Sequence, residues 1–521
     1  TDGPLLVLAG AGSGKTRVIT EKIAHLISHK KCEARHIAAI TFTNKASREM
    51  RERVSKRIKS DQSEGLTIST FHSLGLRFLQ IELQRAKLRR GFSIFDSDDQ
   101  LGIIKDLSPP GLKNDALQAL HGLISQAKNN GLSPNEALEL AKTVREREAA
   151  NLYDRYQARL QTFNAVDFDD LIRIPLMLLD QDKDLAPAWR ERLRYLLVDE
   201  CQDTNGAQYR LLKHLAGPKG ALTCVGDDDQ SIYAWRGAQP ENLELLAKDY
   251  PDLKIVKLEQ NYRCTGRILR SANQLIQKNP HTHLKKLWSQ HGDGEPIRIW
   301  GCKNNEHEAE RVAAEIHYLK QAKEIPWGEF AILFRGNHQS RVLEKALQLL
   351  RIPYHLTGGT AFLDRGEVKD TLAWLRVLAN PDDDAAFLRA IAAPKREVGG
   401  TSLAKLAEMA QHAHLSLATA ADNIGMIKQL SPRAASGLHE FTSIVHQMRD
   451  LSEILSPAEL TRKLIEKSGL LAMVRAQCKD EASYQRRKEN LEELAQWFED
   501  ARGGGPGELA AQLALLSNAD R

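Results

Sequence analysis

The residues Ala9-Gly10-Ala11-Gly12-Ser13-Gly14-Lys15-Thr16 put backbone freedom, a cation and a hydroxyl side by side near the start of the chain. Glycines let successive N–H groups turn inward around phosphate oxygens, and a helix starting there adds the positive end of its dipole. Lys15 is then placed to neutralise the outer phosphates of a nucleotide, and the Thr16 hydroxyl to hold Mg²⁺. Arg17 completes the expected cradle. The competing reading is an ordinary Gly-rich turn. The flanks argue against it: Leu5-Leu6-Val7-Leu8 is a short apolar run, and Val18, Ile19, Ile23, Ala24 and Ile27 recur at helical spacing behind the loop. Ala9 stands where the strict pattern carries glycine.

A nucleotide cradle alone does not specify a reaction. Asp199-Glu200 narrows it, because the pair follows the apolar run Leu196-Leu197-Val198. Ligands of open α/β sheets bind at the carboxyl ends of strands. Asp199 is placed to hold Mg²⁺ through water, and Glu200 to polarise a water attacking the terminal phosphate. A lone Asp-Glu pair reads as a solvated strand end; with the P-loop upstream it reads as catalytic.

The elements that must position these groups alternate. Ile37-Ala38-Ala39-Ile40 is a second strand, and Ala46, Met50, Val54 and Ile58 mark an amphipathic helix behind it. This is the opening of a doubly wound α/β domain. From Phe71 to Leu179 the pattern is almost wholly helical, then Tyr195–Val198 and Leu222–Val225 are two more strands. A helical domain inserted into an interrupted α/β domain explains this order. A second α/β unit is expected from Arg263, with Ala331-Ile332-Leu333-Phe334 as its clearest strand. Gly358-Gly359 reads as a hinge, and from Glu367 onward only helix is expected, interrupted at Gly503–Gly507.

Composition sets bounds. A length of 521 residues exceeds one core and suggests three or four domains. No apolar run approaches the ~20 residues of a membrane helix, and no signal peptide opens the chain, so no membrane partner is expected. The missing initiator Met suggests that residues before Thr1 have been removed. Six cysteines without a C-x-x-C pair argue against zinc and disulfides and for a cytoplasmic location. A net charge of +5 permits nucleic acid as a partner without demonstrating it.

Several further strings, taken together, resemble the superfamily 1A DNA helicases of the UvrD/Rep/PcrA family, the Rep type above all. Asp199-Glu200-Cys201-Gln202-Asp203 is similar to motif II, VGDDDQSIYAWRGA (Val225 to Ala238) to motif III, and LEQNYR (Leu258 to Arg263) to motif IV. TFTNKAS from Thr41 and STFHSLG from Ser69 match motifs Ia and Ib; VDFDDL from Val166 and LFRGNHQSR from Leu333 also fit, in the family's order. The resemblance implies an α/β fold of P-loop (RecA-like) parallel-sheet motor domains with two helical insertion domains. It implies a first motor domain from residues 1–72 with 190–262, a helical insertion at 73–189, part of a second motor domain at 263–358 and a second helical domain at 359–521. The implied activity is ATP-dependent 3′-to-5′ translocation and unwinding of DNA, with ATP and Mg²⁺ as cofactors. The implied partners are single-stranded DNA, single/double-strand junctions and replication or repair proteins; oligomeric state stays open.

By position, the resemblance makes Gln230 the contact to the γ-phosphate, Tyr262 the ring stacked on adenine and Arg263 an arginine finger. Tyr262 alone would read as a half-buried core tyrosine. Phe42, Phe71, Tyr233 and Trp235 follow predicted strands, where rings can stack on unpaired bases. Core packing is the alternative for each. Thr43, Asn44, His72, Arg236, Arg335 and Asn337 are the expected holders of phosphates or bases. Gln230 and Trp235 lie five residues apart, so one loop can touch both nucleotide and DNA.

The chain also departs from the family. Counterparts of motifs V and VI, of the form T-x-H-x-x-K-G-L-E and V-[AG]-x-T-R-A, do not occur, so the resemblance implies a fragment that binds nucleotide but unwinds poorly. Cys201 replaces a common tyrosine and is expected to be a packing change or a weakly exposed, oxidation-sensitive thiol. Pro394–Thr401 resembles a loop that in relatives approaches duplex DNA, or is an ordinary helix–helix connection. An ATP-gated DNA-binding or regulatory module without unwinding activity is the alternative function; a P-loop kinase leaves motifs III and IV unexplained.

Overall fold

A computed structural model describes residues 3–498, except 31, 59, 91, 96, 219, 235–236, 280–283, 337–338, 357–364, 414, 479 and 497. Trp235, Arg236, Asn337 and the glycine stretches at 358–359 and 503–507 therefore lie outside the described residues. The chain forms two compact units: one runs through Gly294 and resumes at Asp370, and a smaller one comprises Glu295–Lys369.

The larger unit is built on a six-stranded sheet. Its strands are β1 (Leu5–Ala9), β2 (Ile37–Thr41), β3 (Thr67–Thr70), β6 (Tyr195–Val198), β7 (Ala221–Gly226) and β8 (Lys254–Leu258), in the order β3-β2-β6-β7-β1-β8. Every pairing is parallel. A parallel sheet needs helical crossovers, and these bury both faces. Alternate side chains sort accordingly. Leu6, Leu8, Ala38, Ile40, Leu196, Val198 and Cys224 enter one core, while Val7, Ala9, Ile37, Ala39, Leu197 and Val225 enter the other. The second core is closed by α1 (Lys15–Ser28) and α2 (Asn44–Ser55) through Ile19, Ile23, Met50 and Val54. The first is closed by α3 (Phe71–Ile81), α8 (Asp170–Gln181), α9 (Leu185–Arg192), α10 (Gly206–Ala216) and α11 (Asn242–Asp249).

Between β3 and β6, a largely helical segment carries α4 (Ser97–Leu107), α5 (Asn114–Asn129), α6 (Pro134–Leu140) and α7 (Val144–Thr162). It also contains an unforeseen parallel pair, β4 (Ser93–Phe95) with β5 (Ala165–Asp167), too short to show a period in sequence. Its centre is ionic. The Lys128 ammonium is fully enclosed, 2.6 Å from Asp167 Oδ2 and 2.9 Å from Asp170 Oδ2. The Tyr156 hydroxyl donates to Asp167 at 2.8 Å. Burial, then the neighbouring Asp170, push the Asp167 carboxyl up to about 6. Two carboxylates of the VDFDDL string are thus structural, because a buried charge needs a partner.

The smaller unit packs α13 (Asn305–Ala322) against α14 (Ser340–Leu349) around Ala309, Ala313, Ala346, Leu347 and Ile352. Between α11 and this unit, β8 is followed by α12 (Gly266–Ile276). The strand expected at Ala331–Phe334 does not form among the described residues. Ile332 packs on the α13–α14 core while Leu333 is 94% exposed, and no neighbouring segment among the described residues supplies a hydrogen-bond ladder. From Asp370 the described chain is helical, as expected.

Close packing of α3 on α8 depends on Gly75, since a Cβ there would lie 1.8 Å from the Leu171 carbonyl oxygen. Gly75→Ala should destabilise the protein by about 1–3 kcal/mol, the usual cost of overpacking. Gly102→Ala on α4, where a Cβ meets nothing within 4 Å, should be neutral or slightly stabilising. Urea denaturation of both variants checks this contrast; equal midpoints would sink it.

Candidate functional site

Because all six strands run the same way, the loops leaving their carboxyl ends share one edge of the sheet. The P-loop leaves β1 there. Gly12 and Gly14 adopt φ of 79° and 92°, values open to glycine at little cost. Gly14 caps α1, so the helix begins at Lys15. Approach is close on both sides of the loop. A Cβ at Gly10 would lie 2.5 Å from the Leu287 side chain, and one at Gly12 would lie 2.9 Å from Arg263 Cβ.

Lys15 gathers the predicted catalytic groups. Its ammonium lies 2.7 Å from Glu200 Oε2 and donates to Gln230 Oε1 at 3.2 Å. Glu200 has φ 49° and ψ 43°, a left-handed conformation uncommon for a side chain with a Cβ and frequent at functional sites. Gln202, 1% exposed, donates to Glu200 Oε2 at 2.9 Å and accepts from the Asp227 N–H at 2.9 Å. The turn after β6 is therefore bonded to the turn after β7. Gln230 is held by its own side-chain amide, which donates to Asp227.

Oxygen donors suited to a hard cation are present. Burial, then Glu200, push the Asp199 carboxyl up to about 6. Burial and Glu200 do the same to Asp203. Buried carboxyls beside a like charge gain most from a cation. The Ser13 hydroxyl and one Asp203 oxygen are also buried without a hydrogen-bond partner among the described residues. Thr16, half-buried, is the second residue of α1. Arg17 is exposed and lies 3.8 Å from Glu21.

Motif IV joins the cleft from β8. Asn261, 2% exposed, donates to the Ala11 carbonyl and accepts from the N–H groups of Arg263 and Cys264 at 2.8 and 2.7 Å. The Tyr262 N–H donates to the Gly12 carbonyl at 3.0 Å. Tyr262 is 62% exposed and Arg263 is exposed, so both side chains are free to meet a ligand. Asn261 was not among the expected site residues; only its place inside LEQNYR signals it.

The expected DNA contacts divide. Phe42 is half-buried and Asn44 likewise, while Tyr233 is 39% exposed. Phe71 is 2% exposed, begins α3 and meets Phe42 edge-on at 5.5 Å. Its ring is core, not a free stacking surface, because Thr70 caps α3 and turns Phe71 inward. The Thr43 hydroxyl likewise caps α2, accepting from the Ala46 N–H at 3.1 Å. His72 meets Phe168 edge-on at 6.1 Å, and burial lowers its pKa. Phe168 is 40% exposed and was missed, hidden among the acids of VDFDDL. Arg335 lies exposed in the smaller unit. Cys201 is 1% exposed and packs in the core, so the weakly exposed thiol is corrected to a buried one. In Pro394–Thr401, Arg396 is buried and donates to the Ser468 carbonyl at 2.7 Å.

A parallel sheet with a P-loop, a strand-end Asp-Glu pair and a bonded glutamine defines a P-loop nucleotide-binding protein. The family comparisons go further. The UvrD/REP helicase N-terminal domain matches residues 1–251, and the UvrD-like helicase C-terminal domain matches residues 256–518. The chain belongs to the UvrD/REP helicase family. It is 46% identical over 504 residues to the ATP-dependent DNA helicase Rep of Escherichia coli (strain K12), covering 96% of this chain and 75% of that protein. It is 42% identical over 498 residues to the ATP-dependent DNA helicase PcrA of Bacillus subtilis (strain 168), covering 95% of this chain and 67% of that protein. No helix among the described residues is long and apolar enough to cross a membrane.

Asn261→Ala would leave the Ala11 carbonyl and two N–H groups without their present partner. Loss of about 1–3 kcal/mol of stability is expected, with nucleotide affinity falling about tenfold. Denaturation and fluorescent-nucleotide titration check it; unchanged affinity would show that the clamp does not shape the cleft.

Proposed function

We propose that the chain forms part of an ATP-driven motor that tracks along single-stranded DNA with 3′-to-5′ polarity, in replication restart or repair. The observation that carries this reading is the Lys15 ammonium held between Glu200 and Gln230. One cation joins the carboxylate suited to activate water to the amide suited to sense the terminal phosphate. On nucleotide binding, phosphate oxygens compete for Lys15 and release Glu200 to orient the attacking water. Gln230 then meets the γ-phosphate, Arg263 stabilises the charge spreading over it and Tyr262 stacks on the base. Thr16 and Asp199 would hold Mg²⁺, which supplies charge neutralisation at the phosphates.

DNA is proposed to run over Phe42 and Tyr233 at this edge, with Thr43, Asn44 and His72 as polar contacts; by their places in the motifs, Trp235, Arg236, Arg335 and Asn337 are proposed DNA contacts as well. Phe168 joins them because it is exposed beside His72. The buried Phe71 supports Phe42 instead. The division into two motor domains and two helical domains, at the boundaries given above, is part of the same proposal. So are junction DNA, replication or repair proteins as partners, and a cytoplasmic setting, which six free thiols support.

ATP turnover with and without a single-stranded oligonucleotide tests the motor. Turnover should rise with DNA, and Lys15→Ala should lower it at least a hundredfold. Nucleotide and DNA binding without turnover would instead favour an ATP-gated binding module. Phe168→Ala should weaken oligonucleotide binding by about 1–3 kcal/mol, the usual worth of one stacked base. Fluorescence anisotropy reads this, and an unaltered Kd would remove Phe168 from the track.

A further inference from the structure

One more charged side chain reaches the nucleotide cleft, outside every motif quoted above. The Lys285 side chain is 3% exposed. Its ammonium lies 2.6 Å from Asp227 Oδ1 and 3.2 Å from Asp229 Oδ2, and it also pairs with Asp228. These three aspartates offer oxygens within 4.8 Å of one another, a spacing at which like charges repel strongly unless a cation sits among them. Lys285 supplies that cation. Burial works against the charged ammonium, and its bonds to Asp227 and Asp228 outweigh that, so its pKa is raised.

Asp227 is the junction. It is 3% exposed, with one carboxylate oxygen on Lys285 and the other accepting from the Gln230 amide. A primary amide has two faces, and its orientation decides which atom is offered to Lys15. Because Asp227 takes the NH₂ group, Gln230 presents its oxygen to Lys15. Fixing Asp227 therefore fixes Gln230.

Lys285 is itself anchored. It sits on a strap from Leu284 to Trp288, tied by Lys257 to the Leu284 carbonyl at 3.0 Å and by Asn273 to the Leu287 carbonyl at 2.8 Å. The Asn261 N–H donates to the Trp288 carbonyl at 2.7 Å. The Leu287 side chain, two residues from Lys285, lies against Gly10 of the P-loop. One short segment thus touches the phosphate loop, the motif III turn and the motif IV turn.

We propose that Lys285 is a positioning residue for ATP hydrolysis, holding Asp227 so that Gln230 keeps the orientation that senses the terminal phosphate. The inference rests on the reading of Gln230 as that sensor. A purely packing role would make Lys285 matter for stability and for binding any nucleotide. A positioning role makes it matter for distinguishing ATP from ADP and for the chemical step.

The test compares wild type, Lys285→Met and Lys285→Arg. It reads kcat and KM for ATP with single-stranded oligonucleotide, affinities for ATP and ADP by displacement of a fluorescent nucleotide, and Tm. Lys285→Met should lower kcat on the order of a hundredfold, as misplacement of a catalytic group does. KM should change less than about threefold, the ATP-over-ADP preference should shrink, and ADP affinity should stay near wild type. Lys285→Arg should recover most of the loss by keeping the charge. Unchanged kcat and nucleotide preference in Lys285→Met would overturn the proposal. So would a parallel fall in kcat, ADP affinity and Tm, the mark of packing alone. If Lys285→Met does not fold, Lys285→Gln is read in its place by the same criteria. A wild type that binds nucleotide without turnover refutes the motor reading; the ATP-over-ADP preference then still decides the role of Lys285.

Discussion

Parallel pairing of all six strands is the constraint from which the site follows. It sends every β-to-helix turn to the same edge, one strand spacing of about 4.8 Å after another. The strand order then ranks the chemistry along that edge. Phe71 and Phe42 leave β3 and β2, Asp199 and the turn to Gln230 leave β6 and β7, and the P-loop and Asn261 leave β1 and β8. Phe42 and the P-loop therefore leave strands three spacings apart, roughly 14 Å, with motifs II and III between them. The same constraint makes the inner strands β1, β2, β6 and β7 apolar on both faces, since crossover helices cover both.

Along this edge, charges are neutralised internally. Lys15 is paired with Glu200, and Lys285 with Asp227, Asp228 and Asp229. A buried charge without a partner is costly enough to reshape its surroundings. Pairing lets the cleft hold its form, and it makes phosphate binding an exchange of partners for Lys15. The two pairs differ in kind. Lys15 lies on the phosphate loop itself, where an incoming anion competes for it, whereas Lys285 is enclosed by the turn it holds. One is suited to switching and the other to staying.

Much of this was legible in sequence where the physics writes a strong pattern. The continuous apolar runs of β1, β2, β6 and β7 and the stripes of α1 and α2 are visible because both faces of a parallel strand and one face of each helix must be apolar. β3 is only implied, as the strand before Phe71, and shows no apolar run because Thr67-Ile68-Ser69-Thr70 is polar in composition although buried; its Thr67 hydroxyl accepts from Arg77 and Thr70 caps α3. β8 has Lys254 and Lys257 on an exposed edge strand and shows no apolar run. Phe71 was placed on the DNA track because spacing after a strand cannot tell a loop from a capped helix start. Lys128 and Lys285 were invisible for a shared reason: a lysine reads as solvated until its carboxylates are brought to it from elsewhere in the chain.

The helical segment between β3 and β6 is not a passenger on this edge. Beyond motif II, the Asn205 amide donates to Asn129 Oδ1 at 2.6 Å, and the Gln239 amide donates to Asn130 Oδ1 at 3.1 Å. Asn129 in turn donates to Asp169 at 3.2 Å, next to the exposed Phe168. Part-buried amides that lose their partners cost free energy, so the turn after Asp203 cannot shift without drawing on α5 and the VDFDDL string. A path of hydrogen bonds becomes coupling only when a ligand changes one end of it. The Lys15–Glu200 pair provides that end, because Glu200 also accepts from Gln202 three residues before Asn205. On the reading proposed above, loss of the Lys15–Glu200 pair would alter the first link of a path whose last member, Asp169, adjoins the exposed Phe168.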